Sequence, residues 1–151
     1  MQRSAVHQVV QNVFGQTTGV SQFYDVAAIT QAFEQAQSRE SGLKLLMLST
    51  ADGRAVAERS SLDTDGRRLA AMANSFLTLG ETLARELSLS EADYATICTR
   101  MGNVVLIRIN AAKPLTLTAV AGSDTNMAVL LFNARECAQR LNGLLAAAST
   151  P

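Results

Sequence analysis

The residues that most often carry chemistry are few in this chain and poorly placed to act together. His7 is the only histidine, and the glycine-containing loop GQTTGVSQ separates its segment, Ser4–Phe14, from the rest of the chain. A Ser-His-Asp or Cys-His unit would have to recruit that outlying segment, so His7 reads as a surface or packing residue. Cys98 and Cys137 fall in a predicted strand and a predicted helix, with no CxxC or Cys/His spacing. They are expected to be buried thiols in a reduced compartment, neither zinc ligands nor a redox pair. Asp63 and Asp65 are close enough for paired acid/base carboxylates, yet at a helix start both are explained as caps. Gly15 and Gly19 bracket GQTTG without a preceding strand or a following Lys-Ser or Lys-Thr, so this is not a P-loop and the chain is not expected to hydrolyse GTP itself. No catalytic, cofactor-binding or metal-binding residue is assigned, and the chain is expected not to be an enzyme.

The arginines pose a different question. Arg67 and Arg68 stand in the first turn of a predicted helix, where the macrodipole disfavours cations by about 0.3–1 kcal/mol. Two accounts offset that cost: neutralisation by Asp63 and Asp65, or a basic spot facing a partner, joined by Arg54 and Arg59 from the neighbouring hairpin.

The elements that must position these groups follow from periodicity. Val6, Val9, Val10, Val13 and Phe14 have the spacing of an amphipathic helix, whose apolar face suits docking either on its own domain or on another chain. Asp25 caps a second helix reaching about Ser41, with Val26, Ile29, Phe33 and Ala36 buried and Gly42 terminating it. Leu43–Thr50 and Ala55–Ser60 form a hairpin in which Asp52-Gly53 is expected to supply a tight type I′ turn. After the long central helix come three strands, Tyr94–Arg100, Val104–Asn110 and Leu115–Val120, with Met101-Gly102-Asn103 turning between the first two and Pro114 standing just ahead of the third. Asn126–Leu145 is a closing helix, and residues 146–151 are expected to fray.

The chain therefore divides into an N-terminal helix and linker (1–24), a domain (25–145) and a tail (146–151). Its order is α-α-β-β-α-β-β-β-α, including the extra N-terminal helix. Short connections disfavour parallel crossovers, so the fold class is α+β: a five-stranded antiparallel sheet with helices on its faces. A length of 151 residues suits one domain. Only 17% of residues are charged, which leaves less charge for the surface and favours association. Thirteen basic residues balance thirteen acidic ones, so no overall field draws the chain to nucleic acid or to an anionic membrane. Without a signal-like or membrane-spanning apolar run, the expected location is cytoplasmic.

The central helix, Asp63–Leu87, carries more apolar surface than one neighbour needs. At about 100° per residue its apolar positions form two flanks spanning about 180°, against the roughly 100° stripe of a helix on a single surface. One flank is bulky, with Met72, Phe76, Leu79 and Leu83; the other is mostly small, with Ala70, Ala73, Leu77, Gly80 and Ala84. The bulky flank is expected to face the sheet and the small flank to let a second helix approach closely.

The runs GLKLLMLSTADGRAVAERS, RRLAAMANSFLTLGETLARELSLSEADYATICTRMGNVVLIRI and PLTLTAVAGSDTNMAVLLFNARECAQRL resemble the roadblock/dynein light chain domain family, in particular its bacterial gliding-motility GTPase-regulator type. The likeness covers roughly Asp25–Leu141. It implies a profilin-like sandwich that pairs long central helices, here Asp65–Leu87, and joins third strands edge to edge, here Tyr94–Arg100. Ala70, Ala73, Leu77, Gly80, Ala84, Tyr94, Thr96 and Cys98 then become the expected dimer interface, with Arg54, Arg59, Arg67 and Arg68 as the expected partner surface. The implied partners are a second copy of this chain or a second roadblock-like chain, together with a Ras-like small GTPase. The implied function is a noncatalytic dimeric regulator that acts on such a GTPase through a composite surface, without a cofactor. The alternative is a homo- or heterodimeric scaffold or adaptor in motility, transport or signalling that leaves GTP turnover unchanged.

Overall fold

In a computed structural model, residues 23–148 are described. The helix expected over Ser4–Phe14, with His7 and the GQTTG loop, lies outside them. From Asp25 onward the elements follow the expected order: α1 (Val26–Arg39), β1 (Leu43–Thr50), β2 (Ala55–Ser60), α2 (Gly66–Glu86), β3 (Ala95–Thr99), β4 (Gly102–Asn110), β5 (Pro114–Gly122) and α3 (Met127–Ala148). Asp25 caps α1 by accepting the Ala28 N–H at 3.0 Å. Ile29, Ala32, Phe33 and Ala36 then bury the face that their spacing dictates. Helix α3 runs on to Ala148, into the segment expected to fray.

All strand pairs are antiparallel, and the sheet order is β2-β1-β5-β4-β3. The last strand in sequence thus sits in the middle, which leaves β2 and β3 as the two edges. Helices α1 and α3 pack together on one face over Leu46, Leu48, Val105, Ile107 and Leu117. Among the described residues, helix α2 alone covers the other face, over Leu45, Met47 and Leu106. Because side chains alternate along a strand, the near-continuous apolar run of β1 feeds both layers, and this two-sided cover makes the profilin-like sandwich.

Local turns depart from the sequence expectations. Asp52 does not take positive φ; only Gly53 does, at +81°. The hairpin therefore closes through a four-residue turn over 50–53, with Gly53 N–H donating to the Thr50 carbonyl at 3.0 Å and Thr50 N–H to the Arg54 carbonyl at 2.8 Å. This is the three-residue loop with a left-handed glycine instead of type I′. Asp52 binds the Thr50 hydroxyl instead, which holds its carboxyl below the usual range. The β3–β4 turn is Arg100-Met101, because Gly102 and Asn103 already pair with Thr99 and Cys98. Gly42 is not a left-handed terminator; α1 ends at Glu40, whose N–H donates to the Ala36 carbonyl.

Helix α2 ends in a six-to-one closure. Leu89 N–H donates to the Ala84 carbonyl and Ser88 N–H to the Arg85 carbonyl, each at 2.9 Å, with Ser88 held at φ +56°. Glycine is the usual residue at that position because a Cβ is disfavoured in the left-handed region. Ser88→Gly is therefore expected to raise stability by up to about 1 kcal/mol, measured as a higher denaturant midpoint at unchanged slope.

Candidate functional site

Helix α2 crosses the sheet from one edge to the other. Its start lies against β2, where the Glu58 carboxylate occupies the space that a Cβ on Gly66 would need. Burial, with the Asp65 charge nearby, pushes the Glu58 carboxyl up. Its middle passes the first hairpin, where Asn74 Nδ2 donates to the Ala51 carbonyl at 2.6 Å. Gly80 then stands over Ala95 of β3.

The two apolar flanks are placed the opposite way from the sequence expectation. Ala70, Ala73 and Leu77 are buried against the sheet at 0%, 5% and 1% exposure, while Met72, Phe76, Leu79 and Leu83 are 59%, 42%, 69% and 60% exposed. The reason is steric. The sheet already contributes the bulk, through Leu45, Met47 and Leu106 with Val104 and Val120 beside them. Ala70 and Ala73 let the backbones approach closely there, and Leu77 fills the space that remains. The small flank is thus consumed within the domain, Gly80 and Ala84 being partly covered, and it is the bulky flank that faces outward.

A charged clamp holds α2 in this setting. Arg108 of β4 reaches up beneath the helix, its Nε and one terminal nitrogen donating to the two Glu81 carboxylate oxygens at 3.2 and 2.6 Å. The same terminal nitrogen donates to the Thr78 hydroxyl at 3.3 Å, and the other donates to Asn74 Oδ1 at 3.1 Å and the Thr116 hydroxyl at 2.9 Å. With Arg108 and Glu81 side chains only 13% and 22% exposed, every guanidinium N–H has a partner.

The remaining expected site residues do not form one cluster. Thr96 and Cys98 lie on the α3 side of β3, while Ala95 and Ile97 lie on the α2 side, as their pairing with Val105, Asn103, Leu106 and Val104 requires. Tyr94 precedes the strand and lies under the Arg135 guanidinium, 4.9 Å from its ring centroid. Arg59 turns to the other face of the sheet, to Glu34 of α1 at 2.8 Å, and Arg54 pairs with Asp52 at 3.3 Å. Neither joins Arg67 and Arg68. Asp65 caps α2 by accepting the backbone N–H groups of Arg67 and Arg68, and among the described residues neither guanidinium has an ion-pair partner. Cys98 is exposed, contrary to expectation, because it sits on an edge strand; Cys137 is buried.

The surface residues missed by the sequence reading are Met72, Phe76, Leu79, Leu83 and Ile97. Along α2 their signal is a run of intervals of four, three and four, the spacing of a single apolar helix face. Among the described residues no group of three or more His, Cys, Asp or Glu side chains is placed to hold a metal ion, and no helix is long and apolar enough to cross a membrane.

The described residues form a profilin-like α+β sandwich with a clamped central helix and an exposed apolar seam. A family model for the Roadblock/LC7 domain matches residues 26–121, and the chain belongs to that family. Solved structures agree on the fold. Myxococcus xanthus MglB superposes with a TM-score of 0.74 at 10% identity, over 84% of this chain and 94% of that one. A structure described as MglB with tetrameric arrangement gives 0.72 at 15% identity, over 82% and 91%. The LokiProfilin2/rabbit actin complex gives 0.53 at 19% identity, over 77% and 96%. Among curated protein sequences there is no significant match.

Two outcomes follow from the clamp and the thiols. Glu81→Ala leaves the largely buried Arg108 without its counter-charge, though still bonded to Asn74, Thr78 and Thr116, and is expected to cost about 2–3 kcal/mol, whereas combining Glu81→Met with Arg108→Met should recover most of that loss; denaturant titration measures both. Burial pushes the Cys137 thiol up to about 12, so at pH 8 a thiol-alkylating reagent should modify Cys98 in the native protein and reach Cys137 only after unfolding.

Proposed function

We propose that the protein is a noncatalytic dimeric regulator of a Ras-like small GTPase. The observation that carries this reading is the outward seam Met72-Phe76-Leu79-Leu83 beside the free edge of β3, in a Roadblock/LC7 domain. Fully covering a bulky apolar side chain is worth about 1.5–3 kcal/mol, so this seam favours association by several kcal/mol once a partner covers it. Ile97, 39% exposed on the same face, and the partly buried Val104 and Val120 extend the apolar surface from helix to strand. Strand β3 has no charged residue and no proline to deter edge pairing. A second copy would cover helix and edge together.

The similarity to MglB, one of whose structures is described by a tetrameric arrangement, supports self-association. The corresponding structure from Thermus thermophilus is described as a gliding protein. On this reading a surface composed from two copies selects one switch conformation of the GTPase. The interface residues are then the bulky seam with Ile97 and the β3 backbone, and Arg67 remains available at the rim.

The test combines the protein with the small GTPase encoded nearest to it and follows GTP turnover and nucleotide-dependent binding. Phe76→Glu places a charge at the centre of the seam without touching the core. It is expected to turn a dimer into a folded monomer by sedimentation and to abolish any change in turnover. A dimer that binds no GTPase in either nucleotide state instead supports the adaptor function. A wild-type protein that is monomeric at micromolar concentrations, alone and with any neighbouring roadblock-like chain, overturns both.

A further inference from the structure

Three charges on α2 stand at the wrong ends of their own helix, Arg67 among them. Arg68 lies in the first turn, where the positive pole disfavours it, and Glu86 closes the last turn, where the negative pole disfavours it. Both are exposed, and among the described residues neither has an ion-pair partner in its own chain. They are eighteen residues apart, five helical turns at 3.6 residues each, so they fall on a single line along the helix. That line borders the seam, about 40° from Met72 on the wheel.

The seam itself is palindromic. Its intervals of four, three and four read the same in either direction, with their centre between Leu77 and Thr78. A second copy laid antiparallel about that centre sets Met72 against Leu83 of the second copy and Phe76 against Leu79 of the second copy. The midpoint of Arg68 and Glu86 is residue 77, within one residue of the same centre. The operation that matches the seam to itself therefore brings Arg68 beside Glu86 of the second copy, and Glu86 beside Arg68 of the second copy.

Resting on the dimer proposed above, the geometry points to Arg68 and Glu86 as a reciprocal pair of charge contacts that select a second copy of this chain in antiparallel register. In that arrangement each charge meets an opposite charge and also the favourable pole of the neighbouring helix: Arg68 the negative end, Glu86 the positive end. The misplacement within one chain becomes complementarity between two. A two-fold interface repeats the contact, so each charge reversal acts twice.

The experiment measures self-association by sedimentation equilibrium at low salt for the wild type, R68E, E86R, R68E/E86R and an equimolar mixture of the two single variants. Each single reversal sets like charges together at both ends and should weaken the dimer about tenfold. The single variants should fold at least as well as the wild type, because each reversal suits its own helix dipole. The mixture and the double variant should both bind more tightly than either single variant, since each restores opposite charges at both contacts, though the double variant forgoes the favourable poles of the neighbouring helix. High salt should erase the differences. Single variants as tight as the wild type, or a mixture no tighter than either single variant, overturn the pairing. A dimer that survives Phe76→Glu instead overturns the seam as the interface, a separate outcome from failure of the charge pair.

Discussion

One sheet face can cover only one flank of α2, and which flank it covers decides everything outside. The strands beneath the helix carry Leu45, Met47 and Leu106, so the interlayer space is already filled from below. Ala70, Ala73 and Leu77 complete that packing at close range. A larger residue at these positions would lift the helix and open voids along its length, since interiors are packed to crystal density. Arg108 then fixes the helix about its own axis, because a bidentate pair to Glu81 tolerates little rotation. With position and rotation both set, Met72, Phe76, Leu79 and Leu83 have no place except the surface.

The two edges of the sheet are treated differently, and the difference matches the two helical layers. Strand β2 carries Glu58 and Arg59; the first lies against the start of α2 and the second reaches Glu34 of α1. Charged side chains of this kind are a common guard against unwanted strand pairing. Strand β3, Ala95–Thr99, has no such guard, and it lies below the later part of α2, where Gly80 stands over Ala95. Among the described residues, the unguarded edge and the exposed apolar seam are what the proposed second copy would cover.

The order and type of every element from Asp25 to the final helix can be read from periodicity, capping residues and turn residues. The antiparallel sheet follows from the short connections. The turn chemistry is less legible. Asp52-Gly53 signals a hairpin, but the Thr50 hydroxyl engages the Asp52 carboxylate and draws the loop into a wider form than the dipeptide alone suggests. The buried face of α2 escapes the sequence for a reason of the same sort. A helical wheel shows that two flanks need cover, yet the choice between them depends on the volume offered by strands far away in sequence, and β4 contributes Leu106 only after the topology sets it beside β5. Arg108 is invisible for the same cause, since nothing local distinguishes a clamp from a solvated arginine. The seam's intervals of four, three and four are local, but any apolar helix face shows them, so they do not say whether a sheet or a second helix covers it.

Rigidity of α2 bears directly on what its exposed face can do. Association carries the cost of ordering whatever the interface leaves mobile, and a surface held in place beforehand avoids much of it. The Arg108 network, which joins α2 to β4 and β5 through Asn74, Thr78, Glu81 and Thr116, supplies that order before any partner arrives. The seam is therefore presented at a fixed angle to β3, the two elements that a second copy covers together on the proposed reading. On the proposed reading the same property reaches the GTPase. A composite surface can favour one switch conformation over another only by a difference in its contacts with the two, and a surface whose halves could rock against each other would adapt to both. The polar clamp beneath the helix, though it touches no partner, sets how sharply the surface above it discriminates.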